Sequence, residues 1–121
     1  LLFGLVHIID PNVQVLGIVN VCAAGFFLAL AYLVTRSLWF PAGIHIGWNL
    51  TEINVLGLPG SGHTEPSLLH TTVSGPDLIT GGAFGPEGGL LGLAFWLFGI
   101  VLLLGYWVAF RRNEGTSSRR S

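Results

Sequence analysis

The residues best equipped for chemistry are polar groups set inside apolar stretches. His45 and Asn49 stand one helical turn apart, with Glu52 a turn further on. On an ideal helix at about 100° per residue, the three share one face within about 60°. A stripe of this kind implies a common environment away from lipid, because an ionisable group inside a span costs at least about a few kcal/mol unless it meets a cavity or a partner. His7 stands near the end of another apolar stretch, in step with Phe3 and close to Asp10. Imidazole serves as a base, a hydrogen-bond donor or a metal ligand, and a carboxamide can donate to a developing oxyanion. The plainer reading is that such groups hold helices together by hydrogen bonds. It weighs more on His7 alone than on His45, whose face also carries Asn49.

The other reactive side chains read as ordinary. Glu52 falls toward the outer end of its segment and is expected to reach interfacial water. His63, Glu65 and His70 lie in a polar stretch at a spacing unlike HExxH, and are expected at the surface. Cys22 is the only cysteine, so no disulfide or CxxC site can form within this chain, and a buried inert thiol is expected.

The elements that must position these groups follow from composition. Apolar residues make up 51% of the chain and charged residues 9%, with a mean hydropathy of +0.71. A soluble domain carries about 25% charged residues, so most of this exterior must face lipid. A net charge of −1 leaves no basic surface for nucleic acid. The chain starts at Leu1 and contains no Met, which reads as a protein whose N-terminal helices lie upstream; no signal peptide is recognisable.

Residues 1–9 read as the last turns of an apolar helix stopped by Asp10-Pro11-Asn12, since proline restricts the residue before it and cannot extend the helix. Residues 13–35 carry no charge, and at about 1.5 Å per residue they cross a hydrocarbon core of about 30 Å. A third segment, 38–58, holds the polar stripe; Pro41 suits a first helical position and Trp39 a membrane interface. Residues 60–89 form a Gly-, Ser-, Thr- and Pro-rich linker too polar to span. Residues 89–110 are the clearest span, with Trp96, Tyr106 and Trp107 toward its ends. Arg111-Arg112 stops it, and 111–121 is expected to be a disordered tail. The fold class is therefore all-α, a polytopic transmembrane bundle. The arginines at 111, 112, 119 and 120 put the C-terminus on the cytoplasmic side, which also leaves Arg36 inside and the 60–89 linker outside.

The Gly81–Gly89 stretch superficially suggests a phosphate loop, but no strand precedes it and it lacks the Lys-Ser/Thr ending. A helix start is expected instead, with Pro86 in the first turn, Glu87 favoured by the positive helix end, and Gly88 and Gly92 allowing close helix packing.

Phe3-Gly-Leu-Val-His7 resembles the FxxxH motif of the CPBP family, the CAAX-protease and bacteriocin-processing (Abi) intramembrane proteases. Residues 38–49, Leu-Trp-Phe-Pro-Ala-Gly-Ile-His-Ile-Gly-Trp-Asn, resemble that family's apolar-Pro lead into HxxxN. The order of the motifs, with one span between them, also matches. Gly75-Pro76-Asp77 and Thr80-Gly-Gly through Phe84-Gly-Pro-Glu87 resemble bacterial members. On this resemblance, residues 1–110 form the C-terminal part of the protease domain.

The resemblance implies peptide-bond hydrolysis within a bacterial cell membrane, on CAAX-type or leader-peptide substrates. It implies that His7 helps activate the water, and that His45 and Asn49 steady the oxyanion. A metalloprotease variant of the same resemblance makes His7 and His45 zinc ligands, zinc being the only cofactor implied. The family's Glu-Glu-x-x-x-Arg helix has no counterpart here, so the expected partners include upstream helices of the same protein, besides lipid and a membrane-associated peptide. The isolated chain is expected to be inactive. The competing reading is a non-catalytic membrane subunit, with His7 and His45 as haem ligands or as helix glue. A shared site also has a geometric condition. Upright helices would separate His7 and His45 by about 10 Å or more along the membrane normal, so a tilt or a deeper helix start is required.

Overall fold

The chain folds, in the computed structural model, as a bundle of helices without strands among the described residues, which are 2 and 6–117, with 110–117 described by backbone alone. Phe3 lies outside the described residues. His7–Ile9 is a 3-10 turn that ends where Asp10 turns extended (φ −68°, ψ 147°) ahead of Pro11, the conformation that proline imposes on the residue before it.

Helix α1, Val15–Thr35, is an uninterrupted apolar run closed by Arg36 in the left-handed region (φ 54°). The Arg36 N–H bonds to the Tyr32 carbonyl at 2.7 Å, and the Thr35 hydroxyl bonds to the Ala31 carbonyl at 2.8 Å. Both satisfy carbonyls that the helix end would otherwise leave open. Helix α2 spans Trp39–Asn49, so Pro41 falls within the first turn rather than at its first position. Proline is tolerated there because the first four N–H groups have no intrahelical acceptor. From Leu50 to Val55 the helix widens into a π turn, marked by the five-residue bond from Leu56 N–H to the Thr51 carbonyl.

The polar, non-spanning segment at 60–89 is more than an extended connection. It folds back over the bundle and contains helix α3 (Asp77–Thr80) and two 3-10 turns, Gly82–Phe84 and Pro86–Gly88. Phe84 is fully buried, with its ring against Gly17 of α1, where an added Cβ would stand 3.1 Å from the ring. Gly85, at φ 96°, passes so close to the Pro59 carbonyl that a side chain has no room. Several backbone groups tie this segment to the bundle and to itself, for instance Gly62 N–H to the Phe84 carbonyl and Leu68 N–H to the Asn54 carbonyl.

Helix α4, Leu90–Ser117, continues past the Arg pair. Arginine ends the apolar run but is itself a good helix former, so the backbone need not stop there. Phe27, Trp48, Phe95 and Trp96 stack with ring centroids 5.0–5.7 Å apart and join α1, α2 and α4. Trp96 is therefore core, not an interface residue. Asn20, fully buried in α1, donates to the Leu16 carbonyl (3.2 Å) and across to the Gly89 carbonyl (3.0 Å), tying α1 to the start of α4. Helices α1 and α4 are long and apolar enough to cross a membrane. Leu91, Phe98, Val101, Leu102 and Val108 on α4 are exposed; a surface of that kind is stable against lipid and unfavourable against water.

Candidate active-site cavity

A cavity of about 270 Å³ opens between the N-terminal turn, α1, α2 and the folded-back segment. His7 reaches it from the 3-10 turn, and His45 and Asn49 reach it from consecutive turns of α2. The separation along the membrane normal expected for upright helices does not keep His7 and His45 apart: both line the same hollow. Val21 and Ala24 of α1, Ile53 of the π turn and Trp96 of α4 form its apolar side. Small residues at 21 and 24 matter here, because α1 crosses this wall without filling the space.

Asp10 is the first polar group beside His7. Its Oδ2 lies 4.0 Å from His7 Nε2, and its Oδ1 lies 3.7 Å from His63 Nε2, so one carboxylate stands between two imidazoles. His63 is exposed, as the sequence reading expects, and it also borders the cavity through the Gly60–His63 turn. His70 and Glu65, from the same stretch, are exposed as expected.

Glu87 stands just ahead of α4, as expected at a helix entry, and it also forms part of the cavity wall. Oε1 accepts the Trp48 indole N–H at 2.9 Å, and Oε2 accepts the Ser61 backbone N–H at 3.1 Å and the Ser61 hydroxyl at 2.6 Å. Three fixed donors in a buried place outweigh the diffuse attraction of a helix terminus. Glu52, expected in interfacial water, is only 3% exposed and has no hydrogen-bond partner on either oxygen. The wide turn that begins just after Asn49 changes the angular step per residue, and the folded-back segment covers the result: the carboxylate rests against Gly60 and Gly85.

His7 and His45 are two potential metal donors, but among the described residues no three of His, Cys, Asp and Glu are grouped so as to hold a metal ion. This chain's described residues do not make a zinc site on their own, and no step below is routed through a metal.

Residues 1–51 match the family model of the type II CAAX prenyl endopeptidase Rce1-like proteins. The matched segment runs from before Phe3 to just past Asn49 and is consistent with a CPBP-family segment; it supports a protease function in general. No curated protein and no solved structure matches the chain.

Proposed function

We propose that this chain supplies the histidine and asparagine side of the active site of an intramembrane endopeptidase, acting on membrane-associated substrates of the CAAX-terminal or leader-peptide kind. The observation that carries the proposal is that His7, His45 and Asn49, all within the family-matched segment, line one cavity.

In this reading a water molecule attacks the carbonyl carbon of the scissile bond, with His7 assisting removal of its proton and Asp10 limiting the orientations of the ring. As the carbonyl oxygen becomes an oxyanion, His45 and Asn49 donate to it from adjacent turns of one helix. Such donors cost no reorganisation, and removing one in a water-poor site costs about 2.7–4 kcal/mol of transition-state stabilisation. Collapse of the tetrahedral intermediate then breaks the C–N bond, and the departing amine takes up a proton. The carboxylate base that the CPBP resemblance places on a Glu-Glu-x-x-x-Arg helix has no counterpart in this sequence, whose glutamates are Glu52, Glu65, Glu87 and Glu114. Peptide hydrolysis by the isolated chain is therefore not expected, and turnover by it would show that the base lies within these residues. The arginines at 111, 112, 119 and 120 favour a cytoplasmic C-terminus.

The test uses the protein that carries this chain, reconstituted in liposomes with a prenylated CAAX peptide or a leader peptide. His45→Ala and Asn49→Ala should each lower turnover about 10²–10³-fold, with the melting temperature in detergent held within a few degrees. Undiminished cleavage in both variants would refute the proposal. Loss of the fold in both would favour histidines that merely join helices.

A further inference from the structure

We propose that Glu87 is a positioning residue for this cavity: it fixes, through one carboxylate, the two elements whose side chains face the substrate. The inference rests on the endopeptidase reading and names a residue outside the family-matched segment.

The carboxylate is 8% exposed and forms part of the cavity wall. Its Oε1 holds Trp48, which sits in α2 between His45 and Asn49 and packs against Phe95 and Trp96. Its Oε2 holds Ser61 twice, by backbone and by hydroxyl. Ser61 belongs to the Gly60–His63 turn, whose ends are joined by the bridge between Gly60 and His63. That turn brings His63 to Asp10, and Asp10 stands beside His7. One side of the carboxylate thus sets the rotation of α2, and the other sets the turn that borders the His7 end. All three donors come from outside α4, so Glu87 is no cap for its own helix. Both of its oxygens are engaged by these donors, which is the arrangement of a residue that holds other elements in place.

Positioning of this kind has a kinetic signature. A shift of about 1 Å in a catalytic group can cost about 10²-fold in rate, while the apolar contacts that bind substrate stay in place. Glu87→Gln keeps an acceptor for Trp48 but turns an amide N–H₂ toward the Ser61 N–H. In the protein that carries this chain, kcat per folded molecule should fall about 10–100-fold with KM changed by less than about threefold. Ser61→Ala, which removes only the hydroxyl donor, should lower kcat about fivefold, the worth of one ordinary hydrogen bond. The Glu87→Gln/Ser61→Ala double variant should be no slower than Glu87→Gln alone, because both act through one clamp.

An unchanged kcat in folded Glu87→Gln, or losses that multiply in the double variant, would overturn the proposal. Should Glu87→Gln fail to fold, Ser61→Ala and Trp48→Phe decide: full kcat in both overturns it, and reduced kcat at constant KM sustains it. His45→Ala run in parallel separates the two levels. Full cleavage in that variant removes the endopeptidase reading itself, whereas lost cleavage there with unchanged kcat in Glu87→Gln removes only the positioning role.

Discussion

The cavity has two walls, and they are held by different physics. The wall from residues 7–49 is built locally. His45 and Asn49 point the same way because an α-helix returns to nearly the same face after one turn, and Asp10 stands beside His7 because a 3-10 turn brings them together. The wall from residues 53–96 is built by contacts across the chain: Ser61 to Glu87, Gly62 to Phe84, Phe84 to Gly17, and Trp48 to Glu87 and Trp96. The first wall carries the side chains assigned to the proposed hydrolysis. The second closes the hollow and, with Glu87, orients the first. Chemistry can be written in short spacings, but enclosure needs distant segments to agree.

The contrast can be broken or sharpened by substitution. The largest effect belongs to the first wall: Asn49→Ala should lower turnover about 10²–10³-fold with little change in melting temperature. Next comes the second wall, where the effect should appear in stability. Phe84→Ala empties a fully buried site and should cost about 3–5 kcal/mol, measured by denaturant unfolding in detergent; a loss below about 1 kcal/mol would mean that the folded-back segment is only a linker after all. Asn20→Ala removes the tie between α1 and the start of α4 and should cost about 1–3 kcal/mol, with the same measurement. The smallest effect is expected at His63. The His63 side of its pair with Asp10 is exposed, so His63→Ala should change stability by less than about 1 kcal/mol, and a larger loss would make the turn a structural strut rather than a border of the cavity.

Much of this was legible before any fold was known. The apolar runs at 13–35 and 89–110 are observed as α1 and α4, since a span must satisfy its backbone within itself and its length follows from bilayer thickness. The shared face of His45 and Asn49 follows from helix geometry alone. The departures are equally physical. Glu52 departs from the expectation of interfacial water, which rests on its place near the segment's outer end, because the folded-back segment covers that end. The sequence places His63 at the surface and Glu87 at a helix entry, but that His63 borders the cavity and that Glu87 meets Trp48 and Ser61 depends on long-range packing.

By itself the sequence determined the class of the molecule, an all-α chain with membrane-spanning helices, and the side chains of the first wall, because both depend on composition and on neighbours within a turn or two. Tertiary structure alone decided that His7 and His45 line one cavity, that Glu52 is sealed from water, and that Glu87 holds Trp48 and Ser61. Those outcomes depend on the relative placement of segments far apart in the chain, which no local period encodes.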